Sequence, residues 1–354
     1  MSREKKVDRR KFLGAGLAGA GLVAAGGALG WLASRSRRTM LTGPESRAPL
    51  DDRFTYDVRE YQHTEPKLLL YDEQGRIPTG LASPKCLAMD ARGRVHVAGD
   101  QVVRRLGLAG DIEAELPLAG PPTALAFGED GRLYVGLKNS FTVYDDAGAL
   151  LAQSDPLGDR VFLTALAQHG DKVYVADAGN REVLICDPTG KVRHRFGKYG
   201  AAAAGQGFVV PSPYFDLLFG ADGLLWVANP GRHRIEAYTP DGAYETGWGK
   251  TGMAVDGFCG CCNPVYFTRL PDGRFVTSEK GLNRIKIYSA RGEFEGVVAG
   301  PEQLVKDLDA ARKACADCSI GFGFAVACDS RSRVYALDPA SREVRVFGRK
   351  GGAT

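Results

Sequence analysis

Six imperfect copies of one unit, recurring at roughly 40–50 residues, constrain this chain more than any other feature. Each copy has an apolar-alternating strand, a Gly or Asp-Gly turn, a strand of the Tyr-Val-Ala-Asp type, a polar loop and a third strand. The first runs Leu87 to Ala98 and turns at Gly93; the second runs Ala124 to Gly136 and turns at Asp130-Gly131. The third holds Lys172-Val173-Tyr174-Val175-Ala176-Asp177, and the fourth Leu225-Trp226-Val227-Ala228-Asn229. Phe275-Val276 and Asn283 to Tyr288 make the fifth, and Phe324 to Phe347 the sixth. Short period-2 strands separated by glycine and aspartate turns at this spacing predict an all-β, six-bladed propeller of four-stranded blades. A solenoid is the alternative, but the terminal caps it needs are not evident. The sixth copy ends after its third strand, and Lys67-Leu68-Leu69-Leu70-Tyr71 stands alone ahead of the first. That segment is predicted to supply the missing outer strand and close the ring, which removes exposed edges.

Charge separates the N-terminus from the rest. The chain carries a net +4, yet residues 1–38 alone carry nine Lys/Arg against Glu4 and Asp8, a local +7, which leaves −3 for the remainder. A slightly acidic folded region offers no basic field, so nucleic acid is not an expected partner. Asp8-Arg9-Arg10-Lys11-Phe12-Leu13 followed by an uncharged Gly/Ala-rich run to Ala33 resembles a twin-arginine export signal. The resemblance implies export of an already folded protein to the periplasm or the outer face of the cytoplasmic membrane, with any cofactor inserted beforehand. Arg35, Arg37 and Arg38 crowd the far side and no clean Ala-x-Ala site follows, so residues 13–33 left uncut would act as a membrane tether. The expected organisation is a signal or anchor over 1–38, a linker over 39–64 and the propeller over 65–350.

Tyr174-Val175-Ala176-Asp177 followed by Asn180-Arg181, Trp226-Val227-Ala228-Asn229 followed by Arg234-Ile235, and Asn283-Arg284-Ile285 together resemble the NHL-repeat six-bladed β-propellers. The inter-blade loop Phe196-Gly197-Lys198-Tyr199-Gly200 through Gly207-Phe208 to Pro211 belongs to the same resemblance, which covers about residues 65–350. Such propellers bind peptides, RNA or metals, and a few are enzymes, so the resemblance implies the fold more strongly than a function.

Against that frame the eight cysteines are unevenly placed. Trp248-Gly249-Lys250 to Gly257-Phe258 repeats the Phe196-to-Phe208 loop one blade later, but continues into Cys259-Gly260-Cys261-Cys262-Asn263-Pro264. Cys315 and Cys318 occupy the equivalent connection into blade six, after an insertion 301–314 that reads as a short helix with Leu304, Leu308 and Ala311 on one face. Connections into innermost strands all open on one face of a propeller, so Cys259, Cys261, Cys262, Cys315 and Cys318 are expected at one rim. They would ligate an iron–sulfur cluster or another thiolate-bound metal, with Gly260 letting the backbone turn sharply. Structural disulfides are the competing reading in an oxidising compartment, and a thiol redox pair is a third. Cys86, early in blade one, is a reserve ligand; Cys328 and Cys186 read as buried apolar residues.

Other chemistry is weaker. His63, His96, His169, His194 and His233 sit away from the starts of innermost strands, against a histidine-bound metal. Asp100, Asn139, Asp177, Asn229, Glu279 and Asp338 close second strands; they would line a polar mouth of the lyase or lactonase kind, or cap turns through the backbone. Lys280 reads as solvated. The expected function is an exported propeller with a cysteine-bound metal centre for electron transfer or for a protein or redox partner. A disulfide-stapled scaffold and a propeller lyase or lactonase are the alternatives.

Overall fold

The computed structural model describes residues 59–198, 207–305 and 322–351. The export segment with its tether at residues 13–33, most of the 39–64 linker, Leu308, Ala311, Cys315 and Cys318 lie outside the described residues. Among the described residues no helix is long and apolar enough to cross a membrane.

Six four-stranded antiparallel sheets follow one another in chain order. Their innermost strands are Pro84–Met89, Pro122–Phe127, Leu163–His169, Leu217–Phe219, Tyr266–Arg269 and Ala325–Cys328, and all six line one central channel. Four of the second strands, Leu225–Asn229 and Phe275–Glu279 among them, are buried at every position because neighbouring blades cover both faces. Such strands need an unbroken apolar or small-residue run, which is what Leu-Trp-Val-Ala-Asn supplies. Between blades four and five the filling is aromatic: Trp226 meets Phe275 at 4.8 Å, and Trp248 meets Tyr288 at 4.7 Å between ring centroids.

The ring closes as the repeat count requires, but with a different segment. Lys67 and Leu68 lie in a 3-10 turn, Pro66–Leu68, and Leu69 and Leu70 bridge to Val297 at the edge of blade five. The outer strand of blade six is Tyr71–Pro78, antiparallel to Glu343–Arg349. The apolar run Leu68-Leu69-Leu70 thus serves a blade junction, whereas the true edge strand buries only Tyr71 and Ile77 and exposes four polar residues and Gly75 between them. Arg345, buried within blade six, clasps Glu73 of this strand and donates to the carbonyls of Gln303 and Leu304. Those two carbonyls belong to a short helix, Pro301–Leu304, whose Leu304 is in the core. It is the described part of the expected insertion helix.

Candidate functional site

The repeat has a recurring internal fastening. In four blades the residue at the end of the second strand turns its side chain back to the connection entering the same blade. Asp100 accepts from the backbone N–H groups of Ala82 and Ser83, Asp177 from Phe162 (2.9 Å), Asn229 from Val209 (2.9 Å) and Glu279 from Cys259 (2.9 Å). Asp338 holds Ala340 and Ser341, and Asn139 reaches the carbonyl of Gly158 at 3.5 Å. These six residues therefore have the turn-capping role, their polar atoms spent on backbone groups that would otherwise be orphaned. Cys259 occupies the place that Val209 and Phe162 hold in earlier blades.

Blade five elaborates the fastening with charge. Glu279 is fully buried between Lys286, whose Nζ lies 2.6 Å from Oε1, and Arg284, whose guanidinium nitrogen lies 3.0 Å from Oε2. Lys286 also donates to the carbonyl of Gly257 (2.7 Å), and Arg284 to that of Met253 (3.0 Å). Burial opposes ionisation of Glu279, yet the two cations outweigh it and hold the carboxyl below its usual range. Burial pushes the Lys286 ammonium down to about 8, with Glu279 working in the opposite direction. Three charged side chains are thus committed to shaping residues 253–259.

Asn263 then fixes the return of the loop. Its Nδ2 donates to the carbonyls of Cys259 (2.8 Å) and Lys280 (3.0 Å), and its Oδ1 accepts from the Lys280 N–H (2.9 Å). Between these anchors Gly260 has φ +72°, a left-handed conformation that side-chain-bearing residues adopt only at a cost.

The three sulfurs of this loop end in different surroundings. Cys259 is buried; burial, and next the neighbouring Glu279 carboxylate, push its thiol up to about 11. Cys261 is exposed, Cys262 is buried, and their sulfurs are 3.3 Å apart. Burial works against ionisation of Cys262, but the Ser212 hydroxyl, the Cys261 thiol and the Lys280 ammonium outweigh it, so its acidity is increased. Cys261 is shifted the other way, chiefly by its hydrogen bond to Cys262 and then by burial.

Lys280 is the correction here. Rather than being solvated, it is 8% exposed, with Nζ 3.1 Å from Ser212 Oγ and 4.8 Å above the Tyr214 ring. Ser212 and Tyr214 come from the connection into blade four, and nothing in the sequence around them advertises a cysteine neighbour. Replacing Lys280 with methionine keeps the stem and removes the charge, so alkylation of Cys262 by iodoacetamide at neutral pH should slow severalfold. Mass-spectrometric rates at Cys262, with Cys261→Ser as the common background, measure it; an unchanged rate would remove Lys280 from the account.

The six cysteines among the described residues are all free thiols. Cys86 is buried on the channel wall, Cys186 is fully buried in blade three, and Cys328 lies at the other end of the channel, donating to the carbonyl of Arg269 (2.7 Å). Among the described residues no three His, Cys, Asp or Glu side chains converge as metal ligands would. The loop pairs Cys261 with Cys262 and turns Cys259 toward Glu279.

No protein-family model matches this chain, and no curated protein matches it. Solved structures do. A catalytically inactive virginiamycin B lyase from Staphylococcus aureus, solved with quinupristin, is 16% identical over 77% of this chain and 82% of its own, with a TM-score of 0.52. A selenomethionine-substituted virginiamycin B lyase from Staphylococcus aureus is 14% identical over 78% of this chain and 99% of its own, with a TM-score of 0.51. At such identities the likeness is one of architecture, and the geometry agrees with it: this chain is an all-β, six-bladed propeller.

Proposed function

We propose that this chain is an exported NHL-type propeller whose cysteine-rich rim holds an iron–sulfur cluster or another soft metal, for electron transfer or for docking a redox partner. The observation that carries the reading is the Cys261–Cys262 sulfur pair, 3.3 Å apart, with one sulfur at the surface and the other drawn toward its thiolate by Lys280 and Ser212. Two adjacent sulfurs, one of them already biased to the charged form, suit a soft cation, which binds thiolate rather than thiol. The donor set therefore fits a thiolate-bound group. Cys315 and Cys318 supply the other two sulfurs in this proposal. Cys259, with its thiol held protonated beside Glu279, is the member of the five that serves the loop instead. When bound, such a group provides a one-electron redox couple or a rigid mount for a partner surface. The chain's own part is to hold Cys261 and Cys262 together through Asn263 and Gly260 and to favour the Cys262 thiolate through Ser212 and Lys280. The twin-arginine-like head supports loading before export.

The test is a full-length protein folded in the cytoplasm and purified without oxygen, assayed by elemental analysis and visible spectrum. Stoichiometric metal is expected, falling to a small fraction in Cys262→Ser and Cys261→Ser but retained in Cys259→Ser. Metal-free wild-type protein, or full occupancy in all three variants, would overturn the proposal. Thiols that titrate only after reduction would turn the assignment to a disulfide-stapled scaffold.

A further inference from the structure

The channel contains a second constellation, independent of the cysteine rim. In every blade the penultimate residue of the second strand faces one residue of the innermost strand across the ladder. These facing residues are Cys86 opposite Ala98, Ala124 opposite Gly136, Ala165 opposite Ala176, Tyr266 opposite Ser278 and Ala325 opposite Leu337. In blade four the corresponding residue is Asp216, whose carbonyl accepts from the Ala228 N–H. One rung of the channel therefore carries three alanines, one cysteine, one tyrosine and one carboxylate, and all six line the same space of about 340 Å³. The alanines leave room that larger residues would fill, and the volume is that of a small-ligand site.

Asp216 is the unusual member. Its carboxylate accepts the backbone N–H groups of Leu217 (Oδ1, 3.0 Å) and Phe267 (Oδ2, 3.0 Å), so it ties blade four to blade five. Both bonds favour the anion, yet among the described residues no cationic side chain pairs with it; burial dominates and raises its pKa to about 7. The titratable groups around it are Tyr214 beside it in blade four, Tyr266 from blade five, and Cys86 and Lys85 from blade one; Glu129 of blade two, paired with His169, and Cys328 of blade six line the same channel. Burial holds the two phenols and the Cys86 thiol in their neutral forms at neutral pH, the last up to about 12. The Tyr214 and Tyr266 rings meet edge-on at 5.5 Å, and Tyr214 already receives one ammonium, that of Lys280. The Thr123 hydroxyl, also on the channel wall, is buried without a partner among the described residues.

We infer that this rung is a binding site for a small ligand bearing a primary ammonium group, held by the Asp216 carboxylate against the Tyr266 ring. A cation there supplies the counter-charge that the partly buried Asp216 carboxylate lacks, and the alanine walls admit a short alkyl body. Propylammonium is the probe, with propanol as its uncharged counterpart, titrated calorimetrically into the full-length protein. Binding is expected at about pH 8 for propylammonium and not for propanol. Affinity should weaken as pH falls through 7, approaching roughly tenfold per unit once Asp216 is mostly protonated. Asp216→Asn should abolish binding, and so should Ala165→Leu, which fills the rung and leaves the carboxylate in place. Equal heats from both probes, binding that survives either substitution, or no binding at about pH 8 would overturn the inference. Should Asp216→Asn fail to fold, Ala165→Leu and the pH profile decide.

Discussion

Glu279→Gln is expected to lower folding stability by about 3–5 kcal/mol, the cost of stranding buried charge when one partner of an ion pair is removed. The substitution keeps the shape and an acceptor for the Cys259 N–H, so what it removes is the counter-charge for Lys286 and Arg284. Both cations are almost wholly inaccessible to water, at 0% and 2% side-chain exposure, so water cannot take the carboxylate's place. The pH dependence has a definite sign. Lys286 in the folded protein gives up its proton near pH 8, whereas in the unfolded chain it does so near its usual 10.5. The unfolded state therefore binds more protons between those values, and this lysine's contribution to stability rises with pH across that window. Without Glu279 the folded-state value falls further, so the variant should recover part of its loss as pH is raised from neutral to about 10. Urea unfolding at several pH values measures this, and adding Lys286→Met should restore part of the stability at pH 7. A loss below about 1 kcal/mol with no pH trend would mean that the cluster is not a counter-charge device.

The second large effect concerns closure of the ring. Ile77→Asp puts a carboxylate where the side chain is 1% exposed. The outer strand of blade six should then detach rather than bury an unpaired charge. Tyr71 and Ile77 each contribute about 1.5–3 kcal/mol by burial, so detachment forfeits about 3–6 kcal/mol against a typical net stability of 5–15. Detachment also bares the Glu343–Arg349 edge and leaves Arg345 without Glu73. Lowered urea midpoints, cleavage by trypsin after Arg76 and new soluble oligomers on gel filtration are expected. A monomer with an unchanged midpoint would show that the strand is dispensable.

Much of this architecture was legible because a propeller writes itself locally. Most second strands are buried on both faces and read as short apolar runs, and most of the turns put a glycine at positive φ, as at Gly131 and Gly223. The position of the Cys259–Cys262 loop followed from register alone. What escaped was decided between blades. The outer strand Tyr71–Pro78 has five exposed residues in succession, Asp72 to Arg76, because only Tyr71 and Ile77 are covered, so it shows no alternation to read. Lys280 looks solvated beside Glu279 in the chain, yet Tyr214, sixty-odd residues earlier, is what shelters it. Asp216 sits within Phe215-Asp216-Leu217-Leu218-Phe219, and its bond to Phe267 belongs to another blade. No local pattern encodes such a partner.

The pairing of Tyr71–Pro78 with Glu343–Arg349 also orders events during synthesis. The outer strand leaves the ribosome ahead of every other described strand, and its partner Glu343–Arg349 is the last of them to be made. A nascent chain can assemble five blades and still hold this strand unpaired, with Tyr71 and Ile77 in water. Synthesis of Glu343–Arg349, rather than of any single complete blade before it, is thus the step that lets the ring close. Chains truncated near the C-terminus should display that free strand to the cell's quality control.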